Sequence, residues 1–391
     1  MSTLKVNAIR GTGASSDAIS VNSTDGTCTA NITNNLSNRN LIINGAMDIA
    51  QRGTQTSLSS GSPFGGCDRW KVQPSNLGTW TLGQDTTDAP KDKGFNNCLK
   101  LDCTTADASP ASGDLLILQQ GIEGYLCNQL AYGQSTAKSV TLSFWCKAEI
   151  NGWSSGTKSF VAELQAGSTT YESGNLITLT TNDTWQKVSC TFPGMTGQAL
   201  ASTSNGLGIT LNLWLDAGTD FTSGTLSTSW SNKSNANRAA GLNLGLGAHT
   251  DNNFFMTGVQ LEVDNGSSVA TDFEHRSYAD ELRRCQRYYQ EIHGGYGGGA
   301  DDSTEIVYCV TYPVKMRATP SVGQTAAMTF EEPSDADRNQ SSTGVSIRGS
   351  RCTDTGCVVS LDNYSSIQKD QLYFSSCNQN SGGKVTYSAE L

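Results

Sequence analysis

The sequence predicts a mainly β protein: a jelly-roll-like β-sandwich with a short helix and a smaller C-terminal β domain. Three observations carry this expectation. Glycine is frequent (41 of 391 residues), proline is scarce (8), and charged residues make up only 16%, a mix that suits short strands joined by tight turns. From position 40 onward, short apolar runs recur with turn residues between nearly all of them, as in a sandwich or jelly roll. A single stretch, 277–292, shows helical spacing instead. Seven Trp and eleven Phe can seed cores, which separates the chain from disordered sequences. At about 100–200 residues per domain, two or three domains are expected.

Residues 1–40 are small and polar. "AISV" and "CTANI" read as brief strands that cannot bury a core without a partner surface or further copies. "NLIINGAMDIAQRG" is a dense apolar segment closing on a turn, and "CDRWKV" and "TWTLGQ" follow as short strands. Then come "NCLKLDC", "DLLILQQGI", "SVTLSFWCKAEI", "KSFVAELQA", "NLITLT", "TWQKVSCTF", "GLGITLNLWLD" and "NNFFMTGVQLEV". In "SVTLSFWCKAE" the alternation puts Val140, Leu142, Phe144 and Cys146 on one face. "GIEGYLCNQLAYG" reads as a short helix across one end of the sandwich.

In "SYADELRRCQRYYQEIHGGYGGG", Ser277 suits an N-cap, with Asp280 and Glu281 in the first turn. Tyr278, Leu282, Cys285, Tyr289 and Ile292 follow at steps of four and three, the pattern of a heptad seam. Such a helix either packs on its own domain or joins copies of itself in an oligomer. The glycines after it read as its end and as a flexible joint. Beyond Gly299 strand texture resumes, giving the smaller domain over 300–391.

The formal net charge of −10 argues against nucleic acid, whose binders need a basic face. The opening lacks an apolar signal core, and no apolar run of about 18 residues could span a membrane as a helix. Twelve cysteines in this length do not make a disulfide scaffold, and a reducing cytoplasm is expected for synthesis. Cys146 and Cys190 read as small buried apolar residues. Cys98 and Cys103 fall on opposite faces of one strand and cannot share a metal. Cys352 and Cys357 bracket the turn "TDTG", where unbridged thiols are the main reading and a bridged loop the minor one.

No catalytic constellation emerges. His249, His275 and His293 lack a nucleophile motif to serve, and His275 is expected to cap or pack. Asp216 with Asp220, and Glu331 with Glu332, are the carboxylate pairs a glycosidase could use, and both fall in loop-like stretches. Asp251 and Asp264 offer the hard oxygens calcium takes, without EF-hand spacing, and read as solvated turns. No cofactor or metal is assigned. Aromatics among small polar residues are the strongest functional hint. Trp153, Trp230 and Tyr364, with Tyr296 in the glycine run, are the candidates for stacking on a sugar ring beside hydrogen-bonding amides.

Three blocks carry a resemblance: "NLIINGAMDIAQRG" with "CDRW", then "TGVQLEVDNGSSVATDFEHRSYADELRRCQRYYQ", then "YPVKMRATPSV". In this order they resemble tail-fibre and related virion proteins of marine tailed phages, cyanophages especially. The opening "STLKVNAI" and the final "SAEL" are similar to the same group. The resemblance implies a structural virion component, a homotrimer and no defined chemistry. The expectation is therefore a non-enzymatic trimeric tail fibre, made in the host cytoplasm, that contacts a host-surface glycan or protein. Residues 1–40 would attach it to other virion proteins, 41–270 form the body, 271–299 the helix and joint, and 300–391 the tip. Tyr278, Leu282, Cys285, Tyr289 and Ile292 would line the threefold interface. Two rivals stay open: a capsid or tail decoration without host contact, and a virion-bound glycan hydrolase.

Overall fold

The computed structural model describes residues 6–12, 17–26, 28–30, 38–166, 170–266, 268–292, 297–332, 335–364, 367–375 and 383–391. Two six-stranded antiparallel sheets face each other as a jelly-roll-like sandwich. The first runs Ser231–Asn232, Tyr171–Leu179, Lys158–Ala166, Leu207–Ala217, Leu115–Glu123, Lys71–Ser75. The second runs Gln186–Phe192, Val140–Glu149, Asn253–Val263, Cys98–Thr105, Thr79–Asp85, Gln55–Leu58. Neighbouring strands are often distant in sequence, so the sheets are built from crossing connections.

Alternation decides what fills the space between them. Leu116, Leu118, Leu164, Leu211 and Leu213 from the first sheet meet Leu82, Leu101, Leu142, Phe144, Phe254 and Met256 from the second. Val140, Leu142, Phe144 and Cys146 all enter this core, as their spacing predicts. Cys98 and Cys103 do face opposite ways: Cys103 joins the main core, and Cys98 packs outside with Ala89 and Phe255. At the bulge in Asn253–Val263, Gly258 has φ +63°, and a Cβ there would lie 2.6 Å from the Phe95 ring. Only glycine fits both constraints.

The central strands of the first sheet are buried on both faces. Residues 218–245 cover the outer one, setting Phe221, Leu226, Ala239 and Leu242 against Ile117, Val161 and Trp214. The short strands Ala8–Ile9, Ile19–Val21 and Cys28–Ala30 form a separate three-stranded sheet, which includes residues of both brief strands expected in this region. The expected end helix is one α turn, Gly124–Cys127, followed by a 3-10 turn.

The helix of the opening motif ends early. It covers Tyr278–Gln286, and Tyr289–Ile292 is a strand paired with Val385–Ser388. Ser277 does cap it, its hydroxyl accepting from the Asp280 amide at 3.2 Å. A five-residue helical seam through Tyr278, Leu282, Cys285, Tyr289 and Ile292 therefore does not form. Cys285 is fully buried with Ile43, Ile49 and Tyr288 of its own chain, Leu282 packs at the edge of that cluster, and Tyr278 is 63% exposed. Ile292 packs against the C-terminal core. The reason is local competition: the apolar face that could have met another copy is covered by the "NLIINGAMDIA" segment.

That segment is wired to the helix. The Asn44 amide donates to Glu281, and Arg276 donates to the carbonyls of Ile42 (3.0 Å) and Asn40 (2.5 Å). Asn44 sits at φ 58°, an uncommon value for a side-chain-bearing residue. Its side chain accepts from Ile49 and donates to the Ile49 and Asp68 carbonyls, which holds it there.

The glycine run is not a joint along its described part. Gly297–Ala300 is a strand inside a seven-stranded sheet, between Leu372–Ser375 and Ile306–Thr311. Tyr296 and His293 lie outside the described residues, as does Cys377. The C-terminal sheets thus already include Tyr289–Ile292 and Gly297–Ala300, ahead of position 300. Their own core gathers Ile306, Tyr308, Phe330, Val359, Leu361, Tyr373 and Tyr387.

This C-terminal part docks on the sandwich through buried charge. Arg69 and Arg52 both reach the Glu390 carboxylate, Arg52 at 3.0 Å. Arg69 lies over the Tyr288 ring at 3.6 Å and Arg52 over Tyr289 at 3.5 Å. Arg287 and the Tyr288 hydroxyl donate to Glu123 at 2.5–2.9 Å. Arg317 ties the carbonyls of Asn205, Ala389 and Glu390 together at 2.7–3.0 Å. Burial pushes Arg69 down to about 10, so it stays charged at neutral pH.

Candidate functional site

Of the three aromatics singled out for sugar stacking, two are not available. Trp153 is 8% exposed and Tyr364 3%. Trp153 belongs to the sandwich core, its indole donating to the Gly156 carbonyl at 3.2 Å, and Tyr364 belongs to the C-terminal core. Both loops fold their ring inward, because a large apolar surface gains more from burial than its polar neighbours lose.

Trp230 is different. It is half-buried and lines a cleft of about 510 Å³ with Tyr171, Met195, Gln198, Ser231 and Asn232, a volume in the usual range for ligand sites. The edge strand Ser231–Asn232 pairs with Tyr171–Leu179, placing Asn232 opposite Tyr171 and presenting Trp230 beside them. The indole is held from behind, donating to the Pro193 carbonyl at 2.7 Å and meeting Tyr132 edge-on at 5.6 Å. Gln198 and Asn232 stand exposed on the rim. The Ser231 hydroxyl and the Tyr132 phenol are buried with no hydrogen-bond partner. Among the described residues, no charged one lines the cleft. Two rings, two amides and a hydroxyl in need of a partner suit an uncharged ligand with an apolar face and a fringe of hydroxyls.

A second cleft of about 310 Å³ lies outside the other sheet, floored by Phe95, Trp145, Phe273 and His275 between Lys93 and Lys187. His275 packs there, at 4.9 Å from Phe273 and 5.3 Å from Phe95. This cleft offers charged side chains of both signs, Lys93, Lys187 and Asp272, in place of amides.

The carboxylate pairs read from the sequence do not lie in loops. Asp216 is on Leu207–Ala217, buried, accepting from the Gly247 and Ala217 amides at 2.8 and 2.9 Å. Burial pushes its carboxyl up. Asp220 lies in the first turn of Thr219–Thr222 and accepts from the Ser112 hydroxyl at 3.3 Å. Glu331 and Glu332 end the strand Met328–Glu332. His249 is at the surface, its Nδ1 accepting from the Asp251 amide at 3.1 Å. Asp264 closes a turn, accepting from Gly266 and Ser268 amides and the Thr141 hydroxyl at 3.0–3.1 Å. Among the described residues no group of three or more His, Cys, Asp or Glu is placed to hold a metal.

Sequence reasoning missed another carboxylate pair. Glu163 and Glu172 lie on adjacent strands of the first sheet, buried under residues 218–245. Glu163 takes both nitrogens of the Arg238 fork at 2.8 and 2.9 Å and also accepts from Asn212 and Trp214. Glu172 accepts from the Ser234 amide at 3.2 Å, and its other oxygen has no hydrogen-bond partner. Burial, then the Glu163 charge, pushes its carboxyl up to about 7. Neither carboxylate lines either of these clefts. The period-two alternation of "FVAELQ" could have placed Glu163 outward, but nothing local reveals the cover.

No family model matches this chain, and no curated protein matches it. Solved structures give remote similarity. The enzymatically active domain of tailspike protein 4 from bacteriophage CBA120 is 12% identical over 60% of this chain and 24% of that one, with a TM-score of 0.31. The C-terminal family 22 carbohydrate-binding module of Clostridium thermocellum Xyn10B is 12% identical over 56% of this chain and 99% of that one (TM-score 0.28). The family 11 module from Clostridium thermocellum, solved with a mixed-linked tetrasaccharide, is 10% identical over 57% and 98% (TM-score 0.26). This chain spans about a quarter of the tailspike chain it matches.

Proposed function

We propose that the protein is a non-enzymatic virion component of tailed-phage type, a trimeric appendage whose sandwich binds a neutral glycan of the host surface. The observation that carries the glycan reading is the Trp230 cleft: a held indole and Tyr171 beside the Gln198 and Asn232 amides, with the Ser231 hydroxyl unpartnered and no charge in the lining. Stacking on the indole would supply most of the affinity, and the amides would select hydroxyl positions. The virion setting rests on the resemblance in the three sequence blocks. A trimer cannot use the Cys285 face, which its own chain fills. The small sheet that starts at Ala8, with Ile9 52% exposed on it and Val6 40% exposed just ahead of it, is the surface assigned to assembly and particle attachment.

The test is binding of the purified chain to neutral host-surface polysaccharide, with particles assayed for the protein by mass spectrometry. Trp230→Ala should weaken binding about tenfold or more, as loss of a central aromatic anchor does. Trp153→Phe should leave affinity unchanged. Equal binding by wild type and Trp230→Ala overturns the assignment of this cleft. Release of new reducing ends overturns the non-enzymatic reading. Sedimentation of the same sample reads the oligomeric state, and a monomer removes the trimer.

A further inference from the structure

The geometry points to a redox-sensitive site in the C-terminal sheet: we propose that Cys352 and Cys357 are a dithiol that a small-molecule disulfide converts into a cross-strand bond. Their register carries the argument. Cys352 ends the strand Gly344–Cys352, Cys357 lies on Gly356–Asp362, and the two are directly opposite. The Thr353 amide donates to the Gly356 carbonyl at 2.9 Å, which makes that pair the hydrogen-bonded one. The alternation of antiparallel ladders then makes Cys352–Cys357 a non-hydrogen-bonded pair, whose Cα atoms lie about 4.5 Å apart with side chains close. That separation falls within the range that a disulfide spans, so the bond forms without moving either strand.

The surroundings favour it. Both side chains face the same core, Cys357 buried and Cys352 half-buried at its edge. The Tyr312 hydroxyl sits 3.4 Å from the Cys352 sulfur, holding it over its partner. Burial and the neighbouring Cys352 push the Cys357 thiol up, so the more exposed Cys352 is the attacking group. Elsewhere among the described residues, Cys67, Cys98, Cys103, Cys127, Cys146 and Cys285 are buried, Cys190 is half-buried, and Cys28 and Cys309 are exposed. The Cys352 thiolate attacks the small disulfide, forming a mixed disulfide and releasing one thiolate. The Cys357 thiolate then attacks the Cys352 sulfur and releases the second. The protons lost by the two cysteines end on the two released thiols, and the small disulfide is reduced as the protein is oxidised. In a reducing compartment the pair stays open; outside one it closes and pins the end of the hairpin.

The experiment treats the whole chain with oxidised glutathione, blocks free thiols by alkylation and analyses tryptic peptides. Residues 352–369 form one peptide holding both cysteines. It should appear unalkylated and lighter by two hydrogens, and revert with dithiothreitol. Cys357→Ser should leave glutathione attached at Cys352, whereas Cys352→Ser should leave Cys357 unmodified. If that peptide carries two alkylated thiols while Cys309 has already reacted, or if wild type keeps glutathione on Cys352, the proposal is wrong.

Discussion

At the scale of single residues, burial decides which side chains can act. Trp153, Trp230 and Tyr364 look alike in sequence, each a ring among small polar neighbours. Only Trp230 keeps a face toward a cleft, because the edge strand Ser231–Asn232 holds the chain at the rim. Glu172 gives a prediction at this scale. Its carboxyl is pushed up to about 7 from an ordinary 4.5, first by burial and then by Glu163. The folded protein therefore holds a proton there that the unfolded chain has lost. The stability this contributes is full below about 4.5 and disappears as the pH rises through about 7. Facing it are Glu163, Arg238 and Lys233. Thermal midpoints measured from about pH 5 to about pH 8 should fall, and Glu172→Gln should flatten that fall and raise the midpoint at the alkaline end. A variant that tracks wild type at every pH would show that the site titrates normally. The raised carboxyl was not legible in "TTYESGN", since residues 218–245, which desolvate it, come later in the chain.

At the scale of elements, the strands were the legible part. Period-two runs such as "SVTLSFWCKAE" depend on nearest neighbours and survive into the structure. The helix was half legible. Ser277 and the first turn marked its start, but the spacing continued past its end. Tyr289 and Ile292 fit a helical step and also fit a strand. What decided was pairing with Val385–Ser388, a contact no local pattern reveals. The glycine run teaches the same point and allows a paired test. A Cβ on Gly298 would lie 2.6 Å from Ile306 Cγ2, whereas one on Gly299 would meet nothing within 4 Å. Gly298→Ala should destabilise the C-terminal sheets by about 1–3 kcal/mol, the usual cost of overpacking. Gly299→Ala should be neutral or slightly stabilising. Chemical denaturation of both variants compares them directly, and equal stability would argue for a loose joint instead of a strand.

At the scale of the whole molecule, the central fact is how the C-terminal sheets sit on the sandwich. Arg69 is buried with Glu390, Tyr288 and the Gly121 carbonyl, which it reaches at 2.6 Å. Removing one member of such a buried pair leaves the other charge poorly matched, at a cost of about 3–5 kcal/mol. In Arg69→Ala, Glu390 keeps only Arg52. Scanning calorimetry of this variant should resolve two transitions where wild type melts as one, and hydrogen exchange should rise at 385–391. A single unshifted transition would mean that the apolar contacts around Leu391 suffice. The chain crosses this boundary outward at Arg287–Tyr289 and returns to it at Ala389–Leu391. The two crossings are neighbours, the Ala389 amide donating to the Tyr288 carbonyl at 2.8 Å and Tyr289 standing opposite Ser388, so together they make one clamp, which Arg317 widens by bonding Asn205 as well as Ala389 and Glu390. The joint is therefore a rivet and not a hinge: the seven-stranded sheet turns against the sandwich only when the contacts of Arg69, Arg317 and Glu390 open together.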